Sequence, residues 1–173
     1  MDRQFSLLDI YKLILQGDMG RFPYGIWKED SIKKECVDVI RYFVENILQC
    51  DQEEIPQKAT FSQFRKYRLY GMIKNVFNQS TYEAIDAAYP GRFKRWEFGN
   101  YSRHNWTKDS AANAVKWLIQ EKLGWSFDKA ENRLTTQDFH NYGLGYILEH
   151  YYELDVKQAV QDAKPHRGKL LRR

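Results

Sequence analysis

The sequence predicts an all-helical protein: two tandem copies of one helical module, a long amphipathic helix plus three short helices, preceded by a short N-terminal helix. Two observations predict this fold. Apolar residues recur at spacings of three and four, and the same pattern returns at an offset of 75 residues (139 − 64). We find no alternating pattern of apolar and polar residues long enough for a β-strand. A hydrophobic fraction of 43% and a charged fraction of 29% are typical of a folded protein.

The offset of 75 aligns 39–90 with the second copy without a gap. Before Val39 the offset becomes 79, which aligns Trp27 with Trp106. The two offsets differ by about one helical turn, so the buried face of the helix stays in phase. Helix-capping residues repeat as well, with Thr or Ser in the first copy and Thr or Asp in the second. Identical pairs are Leu48/Leu123, Thr60/Thr135, Phe64/Phe139, Tyr67/Tyr142, Leu69/Leu144, Ala84/Ala159, Ala88/Ala163 and Pro90/Pro165.

Each element follows from local signals. Residues 5–16 form a short apolar helix, which we expect to cover the first copy, and a loop marked by glycine and proline follows. The long helix begins near Asp30, and two short helices near 61–67 and 69–78 meet at a tight bend. A last helix ends at Pro90-Gly91. The predicted divisions are an N-terminal helix and loop (1–21), repeat 1 (22–90), a basic aromatic linker (91–105), repeat 2 (106–165) and a basic tail (166–173).

The cysteines and the N-terminus bear on location. If Cys36 and Cys50 share the long helix, they lie about 21 Å apart, too far for a disulfide, and unpaired thiols favour a reducing compartment. The apolar stretch from Phe5 to Leu15 is interrupted by charges, lacks a cleavage site and is too short to cross a bilayer. We expect a cytoplasmic protein with no membrane partner.

Catalytic motifs are absent from the sequence. It has no phosphate-binding Gly-Lys-Ser/Thr loop, no dinucleotide-binding glycine motif, no nucleophile elbow and no zinc-type cysteine or histidine spacing. His150 and Glu153 lie one helical turn apart, where they could share a metal or act as an acid–base pair. We interpret them as ordinary polar surface, and expect no enzymatic activity, no metal and no cofactor.

Positive charge is unevenly distributed along the chain. The net charge is +4, but residues 58–74 carry +5, residues 91–108 carry +4 and residues 163–173 carry +5, while the remainder is neutral or acidic. Segregated positive charge beside short helices is what binding to a phosphate backbone requires. The candidate nucleic-acid-binding residues are Arg65, Lys66, Arg68 and Lys74 in repeat 1, Arg92, Lys94, Arg95 and Arg103 in the linker, and Lys169, Arg172 and Arg173 in the tail.

Aromatic residues interleave with these charges and are candidates for stacking on bases or sugars: Tyr67, Tyr70, Phe93 and Trp96. Phe64, Tyr67 and Leu69 return in the second copy, so we interpret them as core. The basic residues change instead, because Arg65, Lys66 and Arg68 become His140, Asn141 and Gly143. Repeat 1 is therefore the predicted binding copy.

The order of motifs resembles a known family. The motifs are Trp27, the long helix, Thr60-x-x-x-Phe64-x-x-Tyr67-x-Leu69, a capped helix, Ala84-x-x-x-Ala88-Tyr89-Pro90 and Trp96-Glu97-Phe98. They are similar to a largely uncharacterised tandem helical repeat of bacterial and phage proteins. They are more distantly similar to repeats that accompany homing endonucleases and are taken to bind DNA.

This resemblance covers nearly all of 22–165. Copy two departs from it, because Lys164 stands where copy one has Tyr89 and no Trp-Glu-Phe follows Pro165. With no nuclease domain beside the repeats, the resemblance implies binding and not cutting.

Two functions remain open from the sequence. The first is a non-enzymatic protein that binds nucleic acid, with DNA expected, through the phosphate backbone. The second is a protein-interaction module, such as a phage or defence-associated inhibitor, because basic patches also bind acidic protein surfaces. An exposed apolar face on the helix at 5–16 would favour the second function. Sequence specificity and oligomeric state stay open.

Overall fold

The structure is a computed structural model, and it describes residues 3–99 and 105–165. These residues form an all-helical fold without a strand, as the sequence predicts. The chain divides into two compact units, Met1–Gly99 (unit 1) and Asn100–Arg173 (unit 2). The division falls inside the segment 91–105.

Unit 1 begins with a short helix and continues with a long one. Short 3₁₀ turns at Ile26–Lys28 and Gln52–Glu54 lie between its helices, and a further one at Arg95–Glu97 follows the last helix. The helices are α1 (Leu7–Gln16), α2 (Ile32–Tyr42, continued by a π-helical segment Phe43–Leu48), α3 (Ile55–Lys58), α4 (Phe61–Lys66), α5 (Tyr70–Val76) and α6 (Thr81–Ala88).

Local sequence explains why α1 begins and ends where it does. The Ser6 hydroxyl accepts a hydrogen bond from the backbone N–H of Asp9, whose side chain accepts in return from the Ser6 backbone, and Gly17 ends the helix in the left-handed conformation. One face of α1 packs on α2 and buries Leu7 and Ile10. The expectation that this helix covers the first core is confirmed.

The core of unit 1 extends past the last helix of the predicted repeat. Phe93 is 7% exposed and Phe98 is 2% exposed, and both join the cluster formed around α2. Their rings meet edge to face at 6.1 Å. The segment 93–98 therefore packs as part of unit 1.

The described residues of unit 2 form a long helix followed by shorter ones. Several helices begin 75 residues after their counterparts, such as α4 and α9, or α6 and α11. The helices are α7 (Lys108–Trp117, continued by a π-helical segment Leu118–Lys122), α8 (Phe127–Arg133), α9 (Thr136–Asn141), α10 (Gly145–Tyr152) and α11 (Val156–Ala163).

Unusual backbone conformations recur at the same offset. Left-handed residues follow shortly after the π-helical segment, α4 and α5 of unit 1. In unit 2 they follow the π-helical segment, α9 and α10. Most are not glycine, so the chain accepts a local cost at these places to turn sharply. The pairs with positive φ are Gln49 and Gly124, Arg68 and Gly143, Asn78 and Glu153, and Gln79 and Leu154.

The end of the long helix differs from the sequence prediction. Its π-helical segment stops at Leu48 and is followed by the left-handed Gln49. Cys50 therefore lies beyond the helix, so placing both cysteines on one helix was wrong. Both cysteines are nevertheless free thiols.

Candidate functional site

The most basic segment of unit 1 lies at the corner between α4 and α5. The N–H of Arg68 donates to the carbonyl oxygen of Arg65 (3.2 Å), and the N–H of Leu69 donates to that of Phe64 (2.8 Å). This pair of bonds is a Schellman motif, and Arg68 holds the left-handed position with φ 69°. Phe64 and Leu69 are fully buried beneath the corner, as the repeat predicts.

The same motif in unit 2 carries glycine where unit 1 carries arginine. The N–H of Gly143 donates to His140 (3.2 Å), the N–H of Leu144 donates to Phe139 (2.7 Å), and φ of Gly143 is 75°. Glycine is the usual residue at this position because a Cβ costs about 1–2 kcal/mol in the left-handed region. Unit 1 therefore places a charged side chain where the backbone alone would favour glycine.

Two cations converge on an exposed tyrosine beside this corner. The guanidinium carbon of Arg65 lies 5.7 Å from the centre of the Tyr70 ring, and the Lys74 Nζ lies 5.9 Å from it. Phe61 supports the ring edge to face at 5.6 Å, while Tyr70 stays 40% exposed. We call Arg65, Lys66, Arg68, Tyr70 and Lys74 the basic corner.

Lys66 completes the basic corner over a second ring. Its Nζ lies 5.4 Å from the centre of the half-buried Tyr67 ring, which packs on Phe43 at 5.9 Å. The Tyr67 backbone carbonyl accepts a hydrogen bond from the Tyr11 hydroxyl (2.9 Å). Tyr67 is thus held by the core, and it lines the corner instead of projecting from it.

No carboxylate neutralises the four cations of the basic corner within the described residues. Other cations of the described residues do pair with carboxylates. Lys58 pairs with Glu54 at 3.0 Å, and Lys164 pairs with Glu131 at 2.6 Å. All four side chains of the corner are exposed, so their positive charge is available to a ligand.

The corresponding corner of unit 2 has lost this character. At the offset of 75, His140 stands at the position of Arg65 and Gly145 at the position of Tyr70. The His140 imidazole fills the space that a side chain on Gly145 would need. Glu149 stands at the position of Lys74. Of the two corners, the one in unit 1 alone concentrates positive charge.

The other predicted binding residues fall into two groups. Arg92 is exposed, Lys94 is half-buried, and the guanidinium of Arg95 lies 5.0 Å from the ring centre of Tyr82 on α6. Arg95 thus lies over a different tyrosine from the one in the basic corner. Arg103, Lys169, Arg172 and Arg173 lie outside the described residues.

The aromatic candidates need one correction and one addition. Phe93 is buried in the core of unit 1, so its assignment as a stacking residue was wrong. Tyr24, which sequence reasoning did not select, is the most exposed large hydrophobic residue described, at 104% relative exposure. Its signal in the sequence is the Pro23-Tyr24-Gly25 turn, where the flanking residues leave the ring no local partner.

The described residues bring no group of three His, Cys, Asp or Glu side chains into a metal-binding arrangement. The His150 ring stacks on Tyr146 at 5.1 Å, which gives it an aromatic neighbour. Burial raises the pKa of the Cys36 thiol to about 12, so this thiol stays protonated at neutral pH. No helix within 3–99 and 105–165 is long and apolar enough to cross a membrane.

Unit 2 has a surface cleft of about 470 Å³ between α7 and the end of α11. Lysines and aspartates both line it, including Lys108, Lys116, Asp109 and Asp162, and Asp162 already accepts a hydrogen bond from Tyr152 (3.0 Å). Its mixed charge favours neither anions nor cations. The basic corner is therefore the stronger candidate.

Comparison with known proteins gives one match. No curated protein and no solved structure matches the chain. A family model described as a protein of unknown function, DUF4046, matches residues 7–94, which run from α1 past the basic corner and cover just over half of the sequence. The chain therefore belongs to the DUF4046 family of proteins of unknown function.

Proposed function

We propose that unit 1 binds nucleic acid, with DNA as the expected target, by holding the phosphate backbone with the basic corner. The observation that carries the proposal is the pair of cations at Tyr70. Arg65 and Lys74 both lie within 6 Å of the centre of one exposed ring, and neither meets a carboxylate in the described part of the chain. A ligand with closely spaced negative charges and flat rings complements this arrangement.

Electrostatics supports phosphate as the ligand. Each phosphate that is neutralised releases condensed counterions, so binding weakens as salt is added. In a plot of the logarithm of the binding constant against the logarithm of the salt concentration, each phosphate contributes a slope of about −0.9 on a duplex and about −0.7 on a single strand. Four unneutralised cations on one corner would give a slope of about −3 to −4. Arg92, Lys94 and Arg95 are candidates for further contacts if the strand continues along unit 1, and Arg103, Lys169, Arg172 and Arg173 remain candidates from the sequence.

A non-enzymatic role fits the residues at this site. Arginine and lysine at the basic corner supply positive charge and hydrogen-bond donors, which binding to phosphate requires. The alternative, a protein-interaction module, rests on the same basic residues, which also suit acidic protein surfaces, and it would be favoured by an exposed apolar face on the helix at 5–16. Its apolar face is buried against α2, which leaves Phe5 and Leu15 exposed as separate side chains.

The proposal is tested by replacing Arg65, Lys66 and Arg68 with Ala and measuring binding to labelled DNA by fluorescence anisotropy at low salt. Contacts to phosphate carry no sequence information, so we expect affinity to fall by at least about tenfold on all sequences alike. Free energies of unfolding should change little, since all three side chains are exposed.

The matched control replaces Lys34, Arg133 and Lys157, three exposed cations that are not part of the basic corner, with Ala. It removes the same charge, so loss of a general electrostatic attraction would lower affinity equally in both variants. Equal losses would place the interface elsewhere. No binding by the unmodified protein at low salt would reject the function itself.

A further inference from the structure

We infer that the ligand of the basic corner is single-stranded, and that Tyr70 and Tyr24 stack on its unpaired bases. This inference rests on the proposed function and narrows it from nucleic acid in general to strands with accessible base faces. It is carried by the position of Tyr24 and by the way its turn is fixed to the element that bears Tyr70.

The backbone presents Tyr24 to solvent on a tight turn. The N–H of Ile26 donates to the carbonyl oxygen of Pro23 (3.3 Å), and Gly25 has φ 79°, so Tyr24 and Gly25 are the two central residues of a type II turn. Proline fixes the backbone before the tyrosine, and glycine adopts the positive φ that the turn requires after it. At 104% relative exposure, the ring has both faces free, although most aromatic side chains in folded proteins are largely buried.

The turn is anchored to the helix of the basic corner. Phe22 packs against Trp27 with ring centres 4.8 Å apart and stacks on Tyr11 at 6.1 Å. The indole Nε1 of Trp27 lies 3.0 Å from the position that a Cβ on Gly71 would take, and Gly71 directly follows Tyr70. Two exposed tyrosines therefore belong to neighbouring, packed elements of unit 1.

Exposed rings beside unneutralised cations suit a single strand better than a duplex. Bases in a duplex are stacked on each other, so a protein reaches only their edges and the phosphates. Bases of a single strand offer free faces, and stacking on an aromatic side chain contributes about 1–3 kcal/mol per base without a sequence requirement. Around Tyr70, a stacked base would leave its phosphate near Arg65 and Lys74.

The experiment compares three ligands of equal length, about 16 nucleotides, at the upper end of single-strand site sizes. They are a mixed-sequence single strand, its duplex, and an abasic strand with the same phosphates and no bases. We expect the single strand to bind the full-length protein more tightly than either of the others, by at least about fivefold.

Variants at the two tyrosines then assign the effect. Tyr24→Ala and Tyr70→Ala should each weaken binding to the single strand by at least about fivefold, and Tyr24→Ala should leave binding to the abasic strand unchanged. Tyr24→Phe and Tyr70→Phe keep the ring and should restore affinity. Tyr142→Ala is the control, because this tyrosine is 36% exposed and the described residues place no cation over its ring.

The outcomes separate the inference from the proposed function. If none of the three ligands binds at low salt, both fail. If the duplex and the abasic strand bind as tightly as the single strand, or if the alanine variants keep their affinity, the nucleic-acid function stands and the inference is overturned.

Discussion

Arg68 has a left-handed backbone conformation, which strains a residue that carries a Cβ. Its counterpart, Gly143, adopts the same conformation without that strain. A non-glycine residue in the left-handed region costs about 1–2 kcal/mol, and glycine loses about 0.5–1 kcal/mol more on folding through chain entropy. Strain alone does not mark a site here, because Gln49 stands in the same relation to Gly124. What distinguishes Arg68 is its charge beside Arg65 and Lys74.

We therefore expect Arg68→Gly to raise the free energy of unfolding by up to about 1 kcal/mol while it weakens nucleic-acid binding. Gln49→Gly is the matched control, since it relieves the same strain (φ 48°) away from the basic corner. It should stabilise the protein and leave binding unchanged. Urea denaturation and fluorescence anisotropy measure the two effects. A loss of stability in Arg68→Gly, or full binding by it, would contradict this role of Arg68.

At the scale of the elements, a hydrogen bond joins α1 to the turn between α4 and α5. The Tyr11 hydroxyl donates to the Tyr67 carbonyl at 2.9 Å, and burial raises the pKa of Tyr11 well above its usual value, so the hydroxyl remains a donor at neutral pH. Tyr11→Phe should lower the free energy of unfolding by about 1–2 kcal/mol, because a partly buried carbonyl loses its partner.

Tyr24→Phe removes a hydroxyl from a fully exposed ring and is the control, with an expected change within about 0.5 kcal/mol. Thermal or urea unfolding of both variants measures these changes in the free energy of unfolding. Equal stability of Tyr11→Phe and the unmodified protein would show that this bond does not hold α1 on the corner.

The helices were the elements that sequence could predict. Apolar spacing gave α2 and α7, and Thr60 and Thr135 cap α4 and α9 as their sequence signals indicate, with their hydroxyls accepting from the third residue on. The corner followed from its charge, since Arg65, Lys66 and Arg68 are adjacent in the chain.

Other features depend on tertiary contacts that sequence does not display. Phe93 lies in a segment whose composition is that of a linker, but its side chain packs into the core of unit 1. The convergence of Arg65 and Lys74 on one ring requires the geometry of the α4–α5 turn. Tyr24 was missed because a lone aromatic residue gives no periodic signal, and exposure is decided by what surrounds it.

In the whole molecule, the distribution of charge along the chain is more distinctive than its sum, since a net charge of +4 is modest. Helix bounds and left-handed positions recur between the units, while the cations of the basic corner do not. The tandem duplication remains our prediction from these parallels. If it holds, one copy kept the scaffold and the other added a binding surface.

The most direct test is the salt dependence of nucleic-acid binding, compared between the unmodified protein and a variant with Arg65, Lys66, Arg68 and Lys74 replaced by Ala. We predict that a plot of the logarithm of the binding constant against the logarithm of salt concentration becomes flatter by about 3 for a single strand, since each lost phosphate contact removes about 0.7. Identical slopes for the two proteins would contradict the account, because the cations of the basic corner would then touch no phosphate.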